Sequence, residues 1–260
     1  MQITGSGTGY TFGTVNLGLL GAGSSAYINL DEFASKAKPA PGALPDGELE
    51  ENITLTLNAY TDAGYSALKW TYERTVIVYW INSNDASFTT DYDDDFDDGT
   101  TMGWSAVDES HNQGGYPIIA ARTDYVLSAS YSCRCDENPD TCPNHVRSRM
   151  EKAITTPNRA KVFAIINVRL HKMSGGGRVC GAKYLQIRYD GNILVQLGFY
   201  DSVAGGDNLP INKWMRIVVA LPSNSSITME IAYDVYPSTC GGNGDTSYFW
   251  QDDFKVVSKN

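Results

Sequence analysis

Ile53-Thr54-Leu55-Thr56-Leu57 alternates strictly between apolar and polar residues, and this is the feature that most constrains the fold. Only an extended strand puts Ile53, Leu55 and Leu57 on one face. Leu68 to Tyr72 and Thr75 to Ile81 follow it, dense in aromatic and β-branched residues. Further on, Val162 to Leu170, Tyr184 to Tyr189, Ile193 to Phe199, Trp214 to Leu221, Ile227 to Val235 and Phe249 to Val257 repeat the pattern, and Asp190-Gly191-Asn192 reads as a hairpin turn. No stretch carries a helical stripe of useful length. The acids agree: 21 are Asp and nine are Glu, a balance that suits turns and loops better than helices. The chain is expected to be all-β.

Its 260 residues allow one large domain or two smaller ones. The polar run Asn82 to Thr90 leads into Asp91-Tyr92-Asp93-Asp94-Asp95-Phe96-Asp97-Asp98-Gly99, and the domain boundary is expected there. Residues 1–88 are read as a small β-sandwich with a Gly/Thr-rich N-terminal arm, and residues 89–260 as a second β-sandwich.

Charge narrows the partners. Twenty basic residues against 30 acidic give a formal net of −10, and the Lys and Arg form no dense cluster. A basic face for nucleic acid is therefore not expected, nor is attraction to an anionic membrane surface. No apolar run reaches the roughly 18–20 residues that span a bilayer, so membrane insertion is not expected. The first basic residue is Lys36, and the early apolar stretch Leu17 to Ala22 is short and broken by Gly, unlike a secretory signal. Five cysteines and the acceptor triplets at Asn52 and Asn224 nevertheless suit an extracellular, cell-surface or virion protein.

From about residue 91 to 257 the chain resembles the galactose-binding-like jelly rolls found in carbohydrate-binding modules. The residues that carry this are Asp95-Phe96-Asp97-Asp98-Gly99-Thr100 with Gly103-Trp104, then Tyr184 to Gly191, Asn212-Lys213-Trp214, and the closing Tyr248-Phe249-Trp250-Gln251-Asp252-Asp253-Phe254-Lys255-Val256. The resemblance implies a jelly roll whose first and last strands lie side by side.

That juxtaposition would bring the acidic run to Asp252. Asp95, Asp97, Asp98 and Asp252 are accordingly candidate calcium ligands, since a hard cation takes six to eight oxygens. Alternation puts Trp250, Asp252, Phe254 and Val256 on one face, where a bare carboxylate among apolar neighbours needs a counter-charge. The other reading is a solvated linker with Asp252 capping backbone amides. Cys133, Cys135, Cys142 and His145 form a zinc-compatible set of unusual spacing. The competing reading, and the one preferred, is a disulfide between Cys135 and Cys142 and a second between Cys180 and Cys240, with one thiol left over.

Catalytic motifs are missing. There is no Gly-x-Ser-x-Gly elbow and no His-Glu-x-x-His, and Glu230 with Asp234 reads as a solvent-facing pair. Trp104 and Trp214 are expected in the core. Among 16 tyrosines, Tyr116, Tyr200 and Tyr248 lie beside Gly-rich or polar turns and are candidate sugar-stacking residues. The function expected is a non-catalytic structural or attachment subunit of a surface or virion assembly, homo-oligomeric and with a glycan as a second partner. The alternative is a carbohydrate-binding module.

Overall fold

The computed structural model describes residues 2–7, 10–16, 47–62, 64–109, 117–128, 130–137, 146–171, 180–198, 212–237 and 247–260. Among these there is no α-helix, and no helix long and apolar enough to cross a membrane. The chain divides into two compact units, Met1–Ser87 and Phe88–Asn260.

The first unit contains β1 (Gln2–Gly7), β2 (Tyr10–Asn16), β3 (Glu48–Tyr60) and β4 (Leu68–Ile81), which form one antiparallel sheet in the order β2-β1-β3-β4. The alternation at 53–57 is the heart of β3. Its polar residues build a cross-strand ladder on one face, with Thr54 and Thr75 hydroxyls 3.2 Å apart and Thr71 donating to Asn58 at 2.7 Å. On the other face Trp70 stands opposite Ala59 and Tyr72 opposite Leu57. Leu68, Trp70 and Tyr72 are exposed there. The described residues make a single layer; the second layer of the expected small sandwich is not among them.

The second unit is a sandwich of two antiparallel sheets. Its strands are β5 (Thr89–Asp94), β6 (Ser105–Asp108), β7 (Ile118–Arg122), β8 (Ser132–Glu137), β9 (Val146–Thr155), β10 (Lys161–His171), β11 (Cys180–Tyr189), β12 (Asn192–Gly198), β13 (Trp214–Ala220), β14 (Ser226–Pro237) and β15 (Ser247–Lys259). One sheet runs β12-β11-β14-β9-β6, and the other β13-β10-β15-β8-β7 with β5 also on β15. Met150, Leu185, Ile187 and Ile231 from the first sheet meet Val168, Leu170, Phe249 and Phe254 from the second. Trp104 is buried in this core, whereas Trp214 is only half-buried and lies outside it.

Part of the acidic run is a strand rather than a linker. Tyr92 packs against the core and Asp94 is buried between the layers. Lys152 lies on the inward row of β9 and holds both Asp94 oxygens, at 2.6 and 2.7 Å, while the Trp104 indole donates to Oδ2 at 2.9 Å. A charge buried there is tolerated because it is paired and hydrogen-bonded, and the pair pins one sheet to the other.

β15 is the spine of its sheet. It pairs with β10 along its length, while its other edge takes β8 at Ser247–Gln251 and β5 at Phe254–Ser258. Between these partners the register slips, and Asp253 adopts φ +47°. This bulge swaps the faces, so Trp250 points outward while Phe254 and Val256 point into the core. The expected common face for Trp250, Asp252, Phe254 and Val256 is therefore corrected.

Candidate functional site

The outward face of the five-stranded sheet is polar yet largely hidden from solvent. Alternation on β9 presents Arg147, Arg149 and Glu151, on β14 Glu230, Ala232 and Asp234, and on β11 Tyr184, Gln186 and Arg188. Asp234, Glu230 and Gln186 are 0%, 5% and 7% exposed, although they face away from the core. The face is thus covered by its own side chains. Glu230 and Asp234 are not the solvent-facing pair expected from sequence, because guanidinium groups on the flanking strands close over them.

Ala232 explains how. It is the small residue in the row Gln186, Ala232, Arg149, which leaves room above β14. Into that room reaches Glu109, just past β6, whose Oε1 accepts from Arg149 at 2.8 Å and Arg188 at 2.7 Å. Arg149 also donates to Glu151 at 2.9 Å, and Arg147 to Asp234 at 2.8 Å. Glu230 Oε1 accepts the Gly191 amide at 2.9 Å, fastening the β11–β12 turn to β14. Gln186 donates to Gln196 at 2.7 Å.

Arg188 Nε and Glu230 Oε2 close the network as an ion pair 3.3 Å apart. Tyr184 lies at the same face, its phenol pushed up to about 12 by burial first and the Asp234 charge next. It is therefore a neutral donor over the whole physiological range.

The candidate calcium ligands serve the backbone. Asp252 Oδ2 accepts the amides of Leu127 at 2.7 Å and Ser128 at 3.3 Å, and Oδ1 accepts that of Asp253 at 2.9 Å. Burial nevertheless pushes its carboxyl up to about 6, against the pull of those amides. Asp97 accepts the Ser130 amide at 2.8 Å, Asp95 that of Asp97 at 3.1 Å, and Asp98 that of Thr100 at 2.8 Å. Among the described residues no three His, Cys, Asp or Glu side chains come together around a metal position. The three amides thus compensate the buried Asp252 carboxylate only in part.

Cys133 and Cys135 are buried on the inward face of β8. Burial, then Asp94, pushes the Cys133 thiol far up, so it is not a reactive thiolate. Cys142 and Cys240, the expected bridging partners of Cys135 and Cys180, lie outside the described residues, as do Tyr116, Tyr200, His111 and His145. Tyr248 is described. Its ring lies 5.8 Å from Trp250, with the Arg134 guanidinium 4.5 Å from its centroid.

Sequence reading missed this covered polar face. The signal was present in Val146-Arg147-Ser148-Arg149-Met150-Glu151, where charged residues alternate with small or apolar ones. Glu109 carried none, since it reaches the network from beyond a strand end.

No family model matches the chain, and no curated protein matches it either. Solved structures do resemble it: its structural neighbours are β-sandwich carbohydrate-binding modules of low sequence identity, together with adhesin domains. The CBM22-1 xylan-binding domain of Paenibacillus barcinonensis Xyn10C is 16% identical, with a TM-score of 0.38, over 67% of this chain and 97% of its own. The Caldicellulosiruptor saccharolyticus CBM27-1 in complex with mannohexaose is 11% identical, with a TM-score of 0.43, over 65% and 96%. The K1 cleaved adhesin domain of Lys-gingipain from Porphyromonas gingivalis is 12% identical, with a TM-score of 0.40, over 66% and 99%. What each of these binds is a property of that protein.

Proposed function

We propose that the second unit is a non-catalytic carbohydrate-binding domain that works outside the cell, with a jelly-roll strand layout and its sugar site on the outward face of the five-stranded sheet. The observation that carries this reading is the row of planar hydrogen-bonding side chains that β11 presents outward, Tyr184, Gln186 and Arg188. Sugar hydroxyls both donate and accept, so they suit such a row. Tyr184 adds a ring and a neutral phenol at its end. Hydrolysis is disfavoured because the carboxylates are already held, Asp234 by Arg147 and Glu230 by Arg188 and the Gly191 amide. Carboxylate oxygens already bonded to such partners are poorly placed to pass a proton to a glycosidic oxygen.

The test is a glycan array followed by calorimetric titration of the full chain with the best glycan. Gln186→Ala and Tyr184→Ala are each expected to weaken binding by about tenfold while the melt stays cooperative. Retention of no glycan at all would end this reading.

A second reading, an assembly or attachment subunit, is favoured by a separate observation. The four-stranded sheet of the first unit leaves Leu68, Trp70 and Tyr72 exposed on an edge strand, together with Ile77. Light scattering tests it: a monomer at every concentration would count against self-assembly.

A further inference from the structure

We propose that the outer face of the six-stranded sheet carries a second sugar-stacking site, centred on Tyr125 and separate from the outward face of the opposite sheet. Tyr125 sits between β7 and β8 with φ +55°, a left-handed conformation that costs a non-glycine residue energy. Its side chain does not repay that cost by burial, since the residue is 46% exposed. The ring stands edge-on to Trp250, centroids 5.1 Å apart, and the Arg169 guanidinium lies 4.2 Å from its centroid.

The segment that follows is fixed from several sides. Asp252 holds the Leu127 and Ser128 amides, Asp253 accepts the Ser128 hydroxyl at 2.8 Å, and Asp97 holds the Ser130 amide. Three carboxylates thus anchor a short loop whose result is a rigid, half-exposed aromatic ring. Rigid display of that kind is what stacking against a ligand needs, and packing alone does not need it.

The surroundings indicate the ligand. Arg134 pairs with Asp124 at 2.9 Å and Asp136 at 2.6 Å beside Tyr248, and Asp252 and Asp253 hold the segment after Tyr125, so neither sign of charge dominates around the rings. A neutral ligand fits this balance better than an ion. Arg169 donates Nη1 to the Asn212 carbonyl at 2.7 Å, and its buried Nε has no hydrogen-bond partner among the described residues. A flat ring bordered by polar groups suits a neutral pyranose, with its C–H face on the aromatic and its hydroxyls at the rim. An apolar peptide would leave that rim unpaired.

The experiment is capture of the full chain on a panel of neutral gluco-, manno-, xylo- and galacto-hexasaccharides and of their uronic-acid counterparts. Tyr125→Ala is expected to lower capture on at least one neutral hexasaccharide by about tenfold, and Tyr125→Phe, which keeps the ring, by no more than about threefold. Near-ultraviolet dichroism of Trp250 checks that the sheet is intact. Capture by Tyr125→Ala within about twofold of the parent on every neutral glycan overturns the proposal, and so does loss confined to uronic-acid glycans. Tyr184→Ala, measured alongside, reports on the opposite face alone, so one site can fail while the other stands.

Discussion

The two outward faces of the sandwich solve the same problem in opposite ways. On the five-stranded sheet, buried charge is satisfied by charge: Arg147, Arg149 and Arg188 interlock with Glu109, Glu151, Glu230 and Asp234. On the six-stranded sheet the buried carboxylate, Asp252, is satisfied by backbone amides, and rings with stacked guanidiniums do the covering. The first arrangement is costly to break at one member, because a lost partner strands an ion. The second is more forgiving, because an amide set free in a loop can turn to water.

The sharpest way to break the comparison is Glu230→Ala. It leaves Arg188 facing an empty position and frees the Gly191 amide, so a loss of about 3 kcal/mol is expected in urea unfolding. A loss under about 1 kcal/mol would show that the charged face is as forgiving as the aromatic one. Asp252→Ala comes next, at about 2 kcal/mol, with hydrogen exchange at Leu127 and Ser128 quickening more than in the core strands.

The Asp252 carboxyl also gives a pH dependence. Its value is raised from 3.8 in the unfolded chain to about 6, so the folded state holds the proton more tightly. The stability this group contributes is fully present below about 4 and falls as pH rises to about 6. The stability of the parent relative to Asp252→Asn is therefore expected to increase when melts are moved from neutral to mildly acidic buffer. A flat difference would mean that the amides cancel the effect of burial. The smallest effect belongs to Tyr125→Gly, where relief of the left-handed backbone offsets the lost ring contacts. A change within about 0.5 kcal/mol is expected, against a clear loss of glycan capture.

How much of this could be read from the sequence depended on whether strands stayed regular. Alternation located Trp214 to Leu221 and Ile227 to Val235 to within a residue or two of β13 and β14. It failed at Asp252-Asp253, where the bulge reverses the faces. The only local hint was that Asp tolerates positive φ better than most residues. It failed again at Glu230 and Asp234, because alternation says which face a residue takes and nothing about what stands above it. That depended on Arg147 and Arg188 from neighbouring strands, and on Glu109 from outside any strand. Tyr125 offered no periodicity at all.

The partner exchange along β15 bears on how the molecule is made. Every other strand of its sheet precedes it in the chain, and Phe254 pairs with Asp94 across some 160 positions. During synthesis β10 and β8 leave the ribosome with open edges that only the latest-made strand can close. Pairing over such distances is slow. A nascent chain paused before Ser247 would thus be a sticky half-sandwich, and rapid completion, or a chaperone covering those edges, becomes part of what this topology requires of its host.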